Sequence, residues 1–298
     1  MIEVRTDEDR RQIALLTTPV GQPGSGRVRY GAAMYFNRAG SLSDAALEVY
    51  RTCSPYDAED PTGLLRVRGL GAETPPEMPA SANEALIRLA EEAGRYVAML
   101  DGPGVAEVQT GLAHWAKGPP QNRTSPSAHP VVDRWLGPAL VPLGATHPAL
   151  SAAIGMAAGH LCWTAFDGYP AAAIGSGFAQ GHAYAPLIGD RGVFPAEDWE
   201  FGLFLIAPHV LYRDHQHPAP ELYAPLTGPH GWRFGPGRPL GLKPAHSPVW
   251  NDPMVAHLTK VGPVPFLCFY CWTGQVSGGA RVVPADDWAA LEDLRLPG

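Results

Sequence analysis

Cysteines are scarce in this sequence, and its basic residues are not clustered. Four cysteines occur in 298 residues, too few and too scattered for the disulfide framework of a small secreted protein. Lysine and arginine total 22 against 29 acidic residues, for a formal net charge of -7. Binding to phosphate backbones depends on a basic patch. We therefore expect neither a disulfide-stabilised secreted domain nor a nucleic-acid partner.

Long apolar stretches are missing as well. A membrane-spanning helix needs about 20 consecutive apolar residues, and no run in the sequence reaches that length. The opening stretch MIEVRTDEDRRQIALL is charged where a secretory signal would be apolar. The hydrophobic fraction of 45% is that of a chain with a packed core. These features predict a cytoplasmic globular protein without a membrane partner.

The first part of the sequence has helical periodicity. The segments with apolar residues on one helical face are 41–51, 81–100, 105–116 and 147–163. Ser81 and Glu84 have the spacing of a capping box at the start of a helix. Apolar faces on these helices could pair two subunits into a homodimer. The opening forty residues fit either a hairpin or an arm.

The pattern changes near residue 180. Short apolar runs such as FGLFLIAP, ELYAPL and PFLCFYCW alternate with glycine and proline clusters, at the spacing of an antiparallel barrel or sandwich. We therefore predict an α+β protein. Its mostly helical N-terminal region would span residues 1–178, and its β-rich domain residues 179–298.

The stretch YRDHQHPAPELY concentrates metal-binding groups at residues 212–223. In an extended strand His215, His217, Glu221 and Tyr223 could share a face, although the two prolines between the pairs would bend the path. Two imidazoles and a carboxylate suit a divalent transition metal and leave room for another ligand and for substrate. The stretch therefore predicts a metal site of catalytic type.

A simpler interpretation is a polar surface loop, because a bare His-x-His pair matches many unrelated segments. The spacing of the whole stretch, beyond the His-x-His pair, favours a metal site. His215, His217, Glu221 and Gly228 together resemble the first metal motif of the cupin barrels.

The resemblance narrows to one family. The segments APHVLYRDHQHPAPELYAPLTGPHGWR and PVWNDPMVAHLTKVGPVPFLCFYCW look like the two motifs of the dimethylsulfoniopropionate lyase-like cupins. The likeness covers roughly residues 145–290. It implies that the C-terminal domain is a cupin β-barrel, an antiparallel double-stranded β-helix or jelly roll, and that a helical region precedes it.

The family likeness also implies a fourth metal ligand. His257, in NDPMVAH, matches the family's approach of a proline followed by a histidine, and His246, in KPAHSPVW, is its rival. The implied cofactor is one divalent transition metal per chain. Zinc, iron, manganese, nickel and cobalt all suit three histidines and a glutamate.

The implied reaction is β-elimination, by which a carbon–sulfur lyase cleaves dimethylsulfoniopropionate to dimethyl sulfide and acrylate. Tyr223 is the first candidate for the base and Tyr212 the second, with substrate positioning as its other role. Trp272 and Trp250 are candidates to face the sulfonium, and core filling is the alternative for Trp250. Two other hypotheses stay open: a metal cupin that isomerises or oxygenates another small carboxylate, and a non-catalytic ligand-binding cupin.

Overall fold

A computed structural model describes residues 2, 6–18, 20–75, 81–121 and 125–297. The chain divides into two compact units, Met1–Pro79 and Ala80–Gly298. The predicted domain boundary at residue 178 stays a prediction. In the second unit the helices that precede the sheets end at Gly181, and the first strand begins at His182.

The described part of the first unit is helical. Its α-helices are α1 (Asp7–Leu16), α2 (Ser25–Arg38), α3 (Asp44–Cys53) and α4 (Pro61–Val67). The expectation of a hairpin or an arm over the first forty residues is wrong. Thr6 and Asp9 form a capping box that starts α1, and Gly24 takes a left-handed φ of 81° at the start of α2. Ile13 and Phe36 of these helices share a buried core with Tyr50 of α3.

Helices also open the second unit. They are α5 (Ala82–Ala98), α6 (Val105–Trp115), α7 (Pro130–Thr146), α8 (Pro148–Ala157), α9 (Ala171–Ile174) and α10 (Ser176–Gly181). The predicted capping box of Ser81 and Glu84 is confirmed at the start of α5. The sequence did not predict α7, which contains Pro138 and Pro142. Both prolines lie on its exposed side, where water can satisfy the carbonyls that lose their helical partners.

Two five-stranded antiparallel sheets follow. The strands are β1 (His182–Ile188), β2 (Glu200–Ile206), β3 (Leu211–Gln216), β4 (Glu221–Pro225), β5 (His230–Arg233), β6 (Gly241–Lys243), β7 (Val249–Asn251), β8 (His257–Lys260), β9 (Phe266–Trp272) and β10 (Arg281–Val282), and α11 (Trp288–Asp293) lies near the end of the chain. The first sheet has the order β1-β2-β9-β4-β7 and the second the order β10-β3-β8-β5-β6. This is the double-sheet arrangement of a jelly roll, and it confirms the predicted fold class.

The first sheet contributes to two hydrophobic cores. Leu267, Phe269 and Cys271 of β9 belong to the core that includes α5, α6, α7 and α8. Phe266, Cys268 and Tyr270 belong to the core between the two sheets. Side chains alternate across a strand, so Cys268 and Cys271 face opposite ways. The cavity described below opens from the inner face.

Candidate metal centre and cavity

The predicted metal ligands come from three strands and one turn. His215 of β3 lies directly opposite His257, the first residue of β8. His217 follows β3, and Glu221 begins β4 in the other sheet. The two prolines between them turn the chain from one sheet to the other. The four residues therefore meet at a corner between the sheets, not along one straight strand.

A β-bulge in β3 allows Tyr212 and His215, which lie three positions apart, both to face the interior. Tyr212 pairs with Thr259 and His215 with His257, so three steps along β3 match two steps along β8. Strict alternation would send Tyr212 and His215 to opposite faces, and a bulge re-aims side chains in this way. Both side chains consequently lie among the residues between the sheets.

The ligand atoms converge. His215, His217 and His257 each offer a ring nitrogen, and these nitrogens lie within 4.8 Å of one another. Glu221 Oε2 lies 3.3 Å from His217 Nε2 and 3.5 Å from His257 Nε2. All four residues are buried. The cluster thus presents three nitrogens and a carboxylate to one small volume.

Backbone carbonyls orient the three imidazoles. The Nδ1 atoms of His215, His217 and His257 lie 2.8, 2.8 and 2.9 Å from carbonyl oxygens of Arg213, Ala219 and Val255. Each Nδ1 therefore donates a proton, and the lone pair of each ring is on Nε2.

Two of these Nε2 atoms have no hydrogen-bond partner. Among the described residues nothing bonds to Nε2 of His215 or of His257, although both atoms are buried. A buried polar atom without a partner is costly and calls for an explanation. A metal ion would accept both lone pairs, and three imidazoles with a carboxylate are a donor set that transition metals accept. The residues present therefore fit a metal ion.

The charges of the cluster also suit a cation. Burial lowers the pKa of His215 well below its ordinary value, and His257 and His217 act in the same direction. Burial alone would raise the pKa of Glu221, but His217 and His257 reverse this and hold it well below its usual range. Neutral His215 and ionised Glu221 are in the forms that bind metal, whereas His217, whose pKa Glu221 raises despite burial, would release its proton on binding.

Two residues fix the Glu221 carboxylate. Asn251 Nδ2 donates to Oε2 at 2.8 Å, and Trp272 Nε1 donates to Oε1 at 2.7 Å. Asn251 begins the segment NDPMVAH, but the sequence assigned it no role, and strand pairing brings it opposite Glu221. Trp272 was expected to face the substrate, and its indole also orients a candidate ligand.

A cavity of about 280 Å³ adjoins the cluster. That volume is just below the range of about 300–1,000 Å³ that is usual for drug-sized ligands, so the cavity suits a small molecule. His217 and Glu221 lie in its wall with Tyr212 and Tyr223. Its remaining aromatic side chains are Phe166, Phe178, Tyr184, Phe204, Tyr270 and Trp272.

Both predicted catalytic tyrosines are buried in this wall. Burial raises the pKa of Tyr223 well above 10, and the adjacent Glu221 raises it further. The Tyr212 hydroxyl lies 2.8 Å from that of Tyr169, and its ring stacks on His215 with centroids 3.8 Å apart. Tyr169 was missed because it lies far from the motif in the sequence.

Trp250 lies away from the cavity. It is opposite Leu222 on β7 and β4, and Leu222 belongs to the core shared with the helices. A Cβ at Gly104 would approach the Trp250 ring to 2.0 Å, so the indole fills the space beside that glycine. The expectation that Trp250 faces the substrate is not supported by this position, and the alternative of packing agrees with it.

The rival histidine, His246, also lies elsewhere. Its Nδ1 is 3.0 Å from the Tyr96 hydroxyl, and its ring centroid is 4.4 Å from that of His147. The structure thus brings His257, and not His246, to the other histidines of the motif.

No helix in the described part of the chain is both long and apolar enough to cross a membrane. The cytoplasmic location and the homodimer stay predictions.

Comparison with known proteins agrees with this architecture. The model of the dimethylsulfoniopropionate (DMSP) lyase family matches residues 105–268, more than half of the chain. No curated protein matches.

Two solved structures share the fold. A chain from the crystal structures of the DMSP lyases RdDddP and RnDddQII is 21% identical, with a TM-score of 0.54, over 68% of this chain and 100% of that one. The DMSP lyase DddQ from Ruegeria pomeroyi DSS-3 is 20% identical, with a TM-score of 0.50, over 67% of this chain and 96% of that one. Together with the family match, the two antiparallel sheets and their histidine cluster lead to one conclusion: the chain belongs to the dimethylsulfoniopropionate lyase family and is a carbon–sulfur lyase.

Proposed function

We propose that the protein cleaves DMSP, or a similar small zwitterionic carboxylate, by metal-dependent β-elimination. The observation that carries this proposal is the pair of buried Nε2 atoms of His215 and His257 that make no hydrogen bond with any described residue, beside His217 and Glu221 in the wall of an aromatic cavity. Family membership supplies the class of reaction, and the cavity has the size for a small substrate.

His215, His217, Glu221 and His257 would hold the metal. When bound, a divalent cation supplies a Lewis acid that neutralises the negative charge developing on the substrate carboxylate. The protein prepares for it by fixing the tautomers of the histidines and by orienting Glu221 through Asn251 and Trp272. Such outer hydrogen bonds keep ligands in place.

Tyr223 is the proposed base. Its oxygen takes the proton from the carbon next to the substrate carboxylate, the electron pair forms the carbon–carbon double bond, and the carbon–sulfur bond breaks. Dimethyl sulfide leaves with that bond's electrons, and acrylate remains. Burial raises the pKa of Tyr223, so the hydroxyl becomes a base only when positive charge nearby lowers it again.

Tyr212 and Trp272 have supporting roles in this proposal. The Tyr212 hydroxyl, bonded to Tyr169, can position the substrate or return a proton. The Trp272 indole is held by Glu221 and lines the cavity. An aromatic face attracts a desolvated cation by about 0.5–2 kcal/mol, which favours a sulfonium over a neutral thioether.

The test combines metal analysis with a headspace assay for dimethyl sulfide. We expect one transition metal per chain, product from DMSP, loss of product on chelation and its return on adding metal back. Tyr223→Phe should lower kcat by about 10²–10⁴-fold, the usual contribution of a general base. Metal content should not change.

The matched control is Tyr56→Phe, which removes a hydroxyl from a side chain that is 62% exposed and should leave activity unchanged. Metal-loaded protein that makes no dimethyl sulfide would refute the proposal. Oxygen uptake with another carboxylate would then favour the alternative reaction, and tight binding without turnover would favour a non-catalytic cupin.

A further inference from the structure

Glu200 is an ionisable side chain in the cavity wall that the proposed reaction does not use. It is the first residue of β2, and no sequence motif includes it. Burial raises its pKa, and the hydrogen bond from Tyr270 and the charge of Arg191 oppose this. A carboxylate that is partly removed from water gains from a cation beside it.

Strand pairing places Glu200 in one row with the metal site. Glu200 lies opposite Trp272 of β9, and Trp272 lies opposite Glu221 of β4. Residues opposite one another point to the same face of a sheet. With neighbouring strands about 4.8 Å apart, the two carboxylate residues stand roughly 10 Å apart along this row. Trp272 occupies the position between them in this row.

Hydrogen bonding and aromatic rings fix the surroundings of Glu200. The Tyr270 hydroxyl donates to Glu200 Oε1 at 2.8 Å, so the carboxylate has a set orientation. Tyr184 packs edge-on against Tyr270, with ring centroids 6.0 Å apart. Tyr184 and Phe204 line the same cavity. An acid surrounded by aromatic faces is a suitable environment for a large, weakly hydrated cation.

An acidic groove leads to this end of the cavity. Glu200, Arg191 and Val276 line both the groove and the cavity. Asp190, Glu197 and Asp198 also line the groove, so its acidic side chains outnumber the single arginine. Arg191 donates through Nη2 to the Tyr184 hydroxyl, and the residue is exposed, where water screens its charge. The potential at the entrance therefore favours a cation.

We propose that Glu200, oriented by Tyr270, binds the onium end of the substrate and selects substrates that carry a short-chain carboxylate at one end and a permanent cation at the other. The carboxylate end then faces the histidine cluster across Trp272. This inference deepens the proposed function and rests on it for the direction in which the substrate lies. The charge preference of the cavity can be measured without turnover.

The experiment compares two unreactive probes in the metal-loaded protein by calorimetric titration. One is β-alanine betaine, which joins a carboxylate to a trimethylammonium group by two carbons. The other is 4,4-dimethylpentanoate, in which a neutral tert-butyl group of the same shape replaces the trimethylammonium group. Wild type should prefer the betaine. Glu200→Gln should weaken betaine binding by about tenfold and isostere binding by less than about twofold.

Three measurements separate this role from a structural one. Glu200→Asp, which keeps the charge, should recover part of the preference. Glu197→Gln, an equal change of charge on an exposed groove residue outside the cavity, should keep it. With DMSP as substrate, Glu200→Gln should raise KM much more than it lowers kcat.

Equal weakening of both probes by Glu200→Gln, a wild type without preference, or the same loss in Glu197→Gln would overturn the inference. An intact preference in Arg191→Gln is expected. Loss of carboxylate binding in that variant would instead place the substrate carboxylate at Arg191. If the preference follows Glu200 but no dimethyl sulfide forms, the proposed reaction fails and the subsite stands. If dimethyl sulfide forms and Glu200→Gln keeps the preference for the betaine, the proposed reaction stands and the subsite at Glu200 fails.

Discussion

Replacement of Arg233 by methionine should destabilise the protein strongly, because it leaves a buried carboxylate unpaired. Arg233 Nε and Nη2 lie 3.0 and 2.6 Å from the oxygens of Asp214. The Asp214 side chain is 0% exposed and that of Arg233 1%. Arg233 also pairs with Asp287, whose side chain is 42% exposed. The same arginine thus has one partner in the interior and one at the surface.

The two partners predict very different costs. Breaking a buried pair by removing one member costs about 3–5 kcal/mol, and we expect Arg233→Met to lower the free energy of unfolding by this amount. Asp287→Asn removes only the solvent-screened partner and should cost about 1 kcal/mol or less. The double variant Asp214→Leu with Arg233→Met should recover part of the loss, because no charge is left in the interior.

Urea denaturation followed by tryptophan fluorescence measures all three changes through the shift in midpoint at constant slope. Metal content should be measured in parallel, since Asp214 immediately precedes the candidate ligand His215 on β3. Equal costs for Arg233→Met and Asp287→Asn would refute the reasoning. So would a double variant less stable than Arg233→Met.

Two further predictions concern Asn251 and Lys260. Asn251→Ala removes a donor to Glu221 and should weaken metal binding by about 10–100-fold in a chelator competition, whereas Asn37→Ala, in the first unit, should not. Lys260 is buried, and its burial lowers its pKa to about 8. Its unfolded value is 10.5, so between these pH values the unfolded state holds more protons and stability rises with pH, by at most about 1.4 kcal/mol per pH unit. Denaturation of the wild type and of Lys260→Met across this window should show the rise in the wild type alone. A flat difference between the two would contradict the prediction.

The sequence predicted the parts of the site that lie close together in the chain. His215, His217 and Glu221 fall within seven positions, and the chemistry of these residue types indicates a metal without knowledge of the fold. Tyr212 and Tyr223 lie at the two ends of the same stretch and were predicted as catalytic residues with it. The resemblance to a family added His257, 40 residues further on.

Residues brought in by strand pairing were assigned no role from the sequence. Asn251 reaches Glu221 because β7 pairs with β4, and Glu200 reaches Trp272 because β2 pairs with β9. The register of strands distant in the sequence determines these contacts. Trp250 shows the same effect in reverse: it is an aromatic residue near the motif, but its position opposite Leu222 sends it to the helical side.

Helix prediction depended on similar local signals. The capping box at Ser81 predicted the start of α5 to within one residue. In α7 the prolines hid the helix, because a proline in a helix interior normally breaks it and only their exposure in the fold allows them there. The opening forty residues suggested a hairpin or an arm, although the helices α1 and α2 bury their apolar residues against α3.

The alternation of β9 has a practical consequence for engineering. Its even-numbered residues, including Tyr270 and Trp272, face the substrate side, and its odd-numbered residues lie in the core with the helices. Changes at the even positions should therefore alter the cavity and the core between the sheets, and leave the core shared with the helices intact. A single residue inserted into β9 would turn the residues after it to the opposite face, and so disrupt both the cavity wall and the core shared with the helices.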